Sequence, residues 1–144
     1  MPFQTLDDVR DEFESIGELY PNPFDERMRL LIRLGESLEP MPAALKTSAT
    51  KVAGCASDVW VYALPASTGE KLHFLADGTS AFTKGIVALI ILAVQDHSAV
   101  DILNTDIEAA LRPFKVGNQL TSIRTSGLLN MIQKIKETAH RLAP

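Results

Sequence analysis

Cys55 is the one thiol in a chain of 144 residues, and its neighbours are of the kinds that hold a side chain in a turn. The stretch reads Thr50-Lys51-Val52-Ala53-Gly54-Cys55-Ala56-Ser57-Asp58-Val59-Trp60-Val61-Tyr62. Gly54 permits a bend or a positive φ just ahead of the cysteine at no side-chain cost. Ser57 and Asp58 bond readily to nearby backbone and favour a turn over a continuing ladder. Val59-Trp60-Val61-Tyr62, β-branched and aromatic, is strand-forming. Cys55 is therefore expected in a loop at the mouth of a strand, a common setting for chemistry. A buried, inert cysteine is the ordinary alternative for a lone thiol, and these residues alone leave both open.

A cysteine hydrolase needs a base beside the thiol. Of the three histidines, His73 on the neighbouring strand is the one placed to reach Cys55, with a half-buried strand residue as its plainer role. His97 and His140 fall at helix ends and read as solvated. A structural zinc site takes about four Cys or His ligands, and an iron–sulfur cluster about four thiolates. This chain offers neither set, and no cofactor or metal of its own is expected. A thiol phosphatase would want an arginine where Val61 stands. Gly78-Thr79-Ser80-Ala81-Phe82-Thr83-Lys84 lacks the second glycine of a phosphate loop. A nucleophilic thiol without an evident base suits a carrier that takes a group from one partner and passes it to another.

The elements that position Cys55 follow from periodicity. Thr5 with Asp8 resembles a capping box. Leu6, Val9, Phe13 and Ile16 then recur at helical spacing, with Gly17 as the expected stop. A second helix is predicted from about Phe24 to Leu38, ended by Pro40 and Pro42. After a loop over 39–50 comes a hairpin, with strands at about Val59–Leu64 and Lys71–Ala76 around a turn at Pro65–Gly69. Lys51-Val52-Ala53 is a candidate short third strand, and Asp77-Gly78 is an expected turn. Ser80 opens a helix to about Gln95 that is apolar nearly all round and so must be covered on most sides. Short helical turns follow from Ser98 and from Thr105 or Asp106, limited by Pro113. After a turn at Gly117-Asn118, a last helix starts at Thr121 or Ser122. Ile123, Leu128, Met131, Ile132, Ile135, Ala139 and Leu142 give it one apolar stripe. Clustered strands between groups of helices predict an α+β fold: a small antiparallel sheet of about three strands with helices packed on one face.

The length suits one domain over residues 1–144. The composition, 46% hydrophobic and 22% charged, is that of a globular chain. A net charge of −4 argues against a general nucleic-acid binder. The longest apolar run, Gly85 to Val94, is half the length of about 20 that a membrane span needs, and the acidic N-terminal stretch is unlike a secretory signal. With a single cysteine no internal disulfide forms, so a reducing, cytoplasmic setting is expected.

Four pieces of this chain together resemble the SufE family of sulfur-acceptor proteins. Val52-Ala53-Gly54-Cys55-Ala56-Ser57-Asp58-Val59-Trp60 is close to V-x-G-C-x-S-x-V-W. Lys84-Gly85-Ile86-Val87-Ala88 is similar to K-G-L-I-A, and Leu120 to Leu128 is similar to L-T-x-x-R-x-x-G-L, with Met131 following. Arg27 through Gly35 is a weaker match. The order and spacing hold from about residue 24 to 142. Ala56 replaces the family's usual glutamine, Met28 its aromatic, and Asp77-Gly78-Thr79 its usual Asp-Ser-Asp. These departures bear on partner preference and thiol tuning, not on the cysteine.

The resemblance implies a SufE/NifU-like fold and a partnership with a pyridoxal-phosphate cysteine desulfurase, SufS- or CsdA-like. Cys55 would take the outer sulfur of the desulfurase persulfide, stimulating that enzyme, and deliver it toward an iron–sulfur scaffold complex or another acceptor. Lys51, Gly54, Ser57, Asp58 and Arg124 are the expected partner-binding residues, Arg124 by ion pairing. Apolar Val52, Val59 and Trp60 are expected to shelter a persulfide at rest, with Gly54 as a hinge. Two readings compete with the carrier. One is an adaptor that regulates the desulfurase without carrying sulfur; the other is a hydrolase using Cys55 with His73. The SufE and CsdE branches share the cysteine motif and are not separated by it.

Overall fold

The computed structural model describes residues 5–54, 57–64, 71–114 and 127–143. Helix α1, Leu6–Leu19, starts at the expected capping box: Thr5 accepts from the Asp8 amide, and the Asp8 carboxylate accepts from the Thr5 amide. Its apolar face buries Val9, Phe13 and Ile16. The helix does not stop at Gly17 but runs two residues further. Gly17 instead makes room for Arg27, whose guanidinium a Cβ at this position would strike. Arg27 Nε donates to the Phe13 carbonyl at 2.9 Å, and its guanidinium lies 4.3 Å from the centre of the Phe13 ring.

Helix α2, Pro23–Glu36, begins with proline, whose missing N–H is unused at that position. It buries Leu30, Leu31, Leu34 and Gly35, while Met28 and Ile32 are half-buried. A short 3-10 turn, Ala43–Leu45, follows. Strands β1, Val59–Leu64, and β2, Lys71–Gly78, form an antiparallel hairpin in which Val59 faces Gly78 and Leu64 faces His73. Alternation sends Val59, Val61, Leu72, Phe74 and Ala76 into the core. Asp77 and Gly78 are not a turn. They are the end of β2, paired with Trp60 and Val59, and the chain turns at Thr79-Ser80. The expected turn at 65–69 lies outside the described residues.

Helix α3, Ala81–Val94, is capped by Ser80, which accepts from the Thr83 amide. Every residue from Gly85 to Ile91 is buried, because α2 packs on one side of this helix and β2 on another. The crossing with α2 is close at two glycines. A Cβ on Gly35 would sit 2.7 Å from the Gly85 nitrogen, and one on Gly85 would strike the Leu31 carbonyl. After α3 the Gln95 side chain pairs with both the amide and the carbonyl of Phe74, at 2.7 and 3.0 Å, as a strand residue would.

The third strand is β3, His97–Ser98, which pairs with Lys71–Leu72. Lys51-Val52 does not become a named strand. Lys51 faces Trp60 in a single antiparallel pair, with the Val52 amide 2.8 Å from the Val59 carbonyl, and Gly54 then turns the chain away. The order β1-β2-β3 makes the expected small antiparallel sheet of an α+β fold.

Helices α4, Ala99–Asn104, and α5, Ile107–Leu111, are capped by Ser98 and Asp106. The 3-10 turn Arg112–Phe114 brings Phe114 edge-on to Phe13, with ring centres 5.5 Å apart. Helix α6, Leu129–Leu142, buries Met131, Ile135, Thr138 and Ala139, and leaves Leu142 exposed at its end. Lys136 caps α4, donating to the carbonyls of Ile102, Leu103 and Thr105. Burial draws its ammonium below the ordinary lysine value, against the charge of Asp106. The turn at Gly117-Asn118, the helix start at Thr121 or Ser122, and Ile123 lie outside the described residues. No helix among the described residues is long and apolar enough to cross a membrane.

Candidate functional site

Cys55, Ala56 and Arg124 lie outside the described residues. The segments on either side of Cys55 are described, and they are built from three sets of contacts. Upstream, Thr50 ends a tight turn: its hydroxyl donates to the Leu45 carbonyl at 2.6 Å and accepts from the Thr47 amide at 3.1 Å. Lys134 of α6 donates to the adjoining Ala49 carbonyl at 2.7 Å. The chain then pairs with β1 through Thr50 and Val52, and at Gly54 takes φ 78°. This left-handed conformation is the one that glycine adopts without the Cβ penalty.

Downstream, Ser57 and Asp58 are fastened to the entry of α3. Ser57 Oγ donates to Thr83 Oγ1 at 3.2 Å. The Asp58 amide donates to Thr79 Oγ1 at 3.1 Å, and the Asp58 carbonyl accepts from the Thr79 amide at 3.0 Å. Gly54 and Ser57, the described residues next to 55 and 56 in sequence, thus lie toward the end of the hairpin where Val59 faces Gly78.

Two charged groups border this end. Lys51 and Asp58 form an ion pair at 2.9 Å, each side chain half exposed. A second group centres on Asp77, which Lys46 approaches to 2.6 Å and Lys84 to 3.4 Å. Partial burial alone would raise the Asp77 carboxyl, but the hydrogen bonds from Lys46 and the Gly78 amide, with the charge of Lys84, hold it below its ordinary value. Lys46 also lies 5.5 Å from the centre of the half-buried Trp60 ring. Lys84 therefore faces Asp77 on β2. Val52 and Val59 are buried beside Gly54 and Ser57.

His73 stands elsewhere. It faces Leu64 at the other end of the hairpin, five residues along β2 from Gly78, or roughly 16 Å at strand rise. Both ring nitrogens are engaged: Nδ1 with Asp96 at 3.0 Å and Nε2 with Glu39 at 2.7 Å. The hydrogen bonds to Asp96 and then Glu39 outweigh its slight burial and raise its pKa. A base for the segment around Gly54 and Ser57 would need to be near and to have a free nitrogen, and His73 is neither. A groove of about 940 Å³ lies at this far end, lined in part by Leu38, Glu39, His73, Phe74, Gln95 and Asp96; none of the described residues among 49–58 and 77–84 lines it. Among the described residues, no group of three or more His, Cys, Asp or Glu is arranged to hold a metal.

The structure brings together Lys51, Gly54, Ser57 and Asp58 of the expected partner-binding set. Sequence reasoning missed Lys46, Asp77, Thr79 and Thr83, which support them. Asp77 has the sequence signal of a turn residue. The two threonines carry no periodic signal, and only the hydrogen bonds of the folded chain show that they meet Ser57 and Asp58.

The SufE family of Fe-S metabolism associated domains matches residues 8–139. The cysteine desulfuration protein SufE of Wigglesworthia glossinidia brevipalpis is 29% identical over 119 residues, covering 83% of this chain and 82% of the relative. The sulfur acceptor protein CsdE of Escherichia coli is 28% identical over 124 residues, covering 86% of this chain and 80% of the relative. A solution structure of a hypothetical protein from Thermus thermophilus superposes with a TM-score of 0.68 at 15% identity. That match covers 93% of this chain and 94% of the other, and it shows a shared fold.

Proposed function

This chain belongs to the SufE family, and from that premise we propose that it is a sulfur acceptor and carrier that works with a cysteine desulfurase. The relatives named for cysteine desulfuration and for sulfur acceptance support the reading. The observation that carries it is the placement of the segments flanking the only thiol. Gly54 holds a left-handed turn on one side, and Ser57 and Asp58 are tied to α3 on the other. A nucleophile whose described neighbours are tied on both sides, with His73 held at the hairpin's other end, fits a residue that receives a group better than one that turns over a substrate.

The chemistry is thiol exchange. The Cys55 thiolate attacks the outer sulfur of the desulfurase persulfide. A new sulfur–sulfur bond forms on Cys55, the bond to the donor cysteine breaks, and that cysteine leaves as a thiolate. No net oxidation occurs, and Cys55 carries the persulfide. Delivery to an iron–sulfur scaffold complex or another acceptor reverses the same step with a new thiol. Lys51, Asp58 and Arg124 meet the desulfurase surface in this reading, and Gly54 and Ser57 shape the presenting turn. The pyridoxal phosphate belongs to the desulfurase. The setting is a reducing compartment such as the cytoplasm, where a lone thiol stays free.

The test is cysteine turnover by the desulfurase with wild type and with Cys55→Ser. The carrier reading predicts that Cys55→Ser loses the stimulation while still binding the enzyme. Full stimulation by Cys55→Ser would assign the protein to regulation without sulfur transfer.

A further inference from the structure

Ser57 and Thr83 are 26 residues apart, yet their hydroxyls meet at 3.2 Å between two half-buried side chains. Thr83 is not needed for the start of α3. The cap there is Ser80, which accepts from the Thr83 backbone amide whatever side chain position 83 carries. A threonine within a helix is also a poorer helix former than alanine or leucine. Its hydroxyl commonly bonds back to its own helix; here it reaches Ser57 instead. The neighbouring Asp58 is already held through its backbone by Thr79. The Ser57–Thr83 bond is therefore the side-chain tie nearest in sequence to Cys55 among those the structure describes.

We propose that Thr83 is a positioning residue for Ser57 and that, through Ser57, it sets how available the Cys55 thiol two residues earlier in sequence is to an incoming electrophile. The inference deepens the carrier reading, and it rests on Cys55 being the working thiol. Thr83→Val removes the hydroxyl and keeps the branched shape. Thr83→Ser keeps the hydroxyl.

The experiment is the rate of Cys55 alkylation by iodoacetamide, followed by intact mass on the full chain without a desulfurase. Thr83→Val is expected to be alkylated about two- to tenfold faster than wild type, the range that one net hydrogen bond commands. Thr83→Ser is expected within twofold of wild type. Ser57→Ala with Thr83→Val is expected to be no faster than the faster single variant, because both remove the same bond. A wild-type rate for Thr83→Val, a Thr83→Ser as fast as Thr83→Val, or multiplying effects in the double variant would each overturn the proposal. Because no desulfurase is present, a failure of sulfur transfer would contradict the carrier reading and leave this result standing.

Discussion

His73 carries a carboxylate on each ring nitrogen, and that pairing makes a prediction at the scale of one residue. Hydrogen bonds to Asp96 and Glu39 raise its pKa above the ordinary 6.5. A base whose folded pKa is raised lends stability that is full below its ordinary pKa and lost as pH rises through the folded one. Glu39 lies in the loop after α2, and Asp96 sits in the turn after α3 with φ 58°, so the protonated imidazole ties both to β2. His73→Gln should lower the melting temperature more at pH 5.5 than at pH 8.5. An equal loss at both would show that the imidazolium contributes nothing beyond packing. The partially exposed ring keeps the effect modest. None of this pairing was readable in the sequence, where Glu39 and Asp96 stand 34 and 23 residues from His73.

At the scale of elements, the Lys84-Gly85 pair divides its work. Lys84 faces Asp77, whereas Gly85 exists for packing, because its Cα lies against the backbone of Leu31. Gly85→Ala gains helix propensity of about 1 kcal/mol. It also forces backbone against backbone, and overpacking of this kind costs about 1–3 kcal/mol. Because the clash is with backbone, the upper part of that range applies, about 2–3 kcal/mol, and chemical denaturation should find the variant less stable by about 1–2 kcal/mol net. An equal or higher stability would mean that α2 and α3 separate without cost. Most elements were legible because their signals are local: the Thr5–Asp8 box, the Ser80 cap, and the alternation of Val59 to Leu64. The errors came where tertiary contact overrode local signal. Gly17 lies within its helix, with the Arg27 guanidinium in the space a Cβ there would take. Asp77 and Gly78 extend their strand because Trp60 and Val59 pair with them. The two-residue β3 has no pattern long enough to read; it exists by pairing with Lys71 and Leu72.

Over the whole molecule, the hairpin separates two clusters. Gly54, Ser57, the Lys51–Asp58 ion pair and the Asp77 lysines occupy one end, and Glu39–His73–Asp96 occupies the other. Effects at sites more than about 10 Å apart add independently as a rule. His73→Gln should therefore leave the alkylation rate of Cys55 within about twofold of wild type, whereas a hydrolytic pair would lose most of its reactivity. The motif around Cys55 is the sequence signal on which the proposed chemistry rests. Its supports, Thr79 and Thr83, come from a segment more than 20 residues further along the chain and are visible only in the fold. The central claim is that Cys55 accepts sulfur. Its most direct test is the intact mass of the protein after incubation with a cysteine desulfurase, pyridoxal phosphate and cysteine, with Cys55→Ser alongside. The account predicts a sulfur-mass adduct on the wild type that reductant removes and that Cys55→Ser lacks. An unmodified wild type, beside a desulfurase shown to be turning over and to be stimulated by it, would contradict the account.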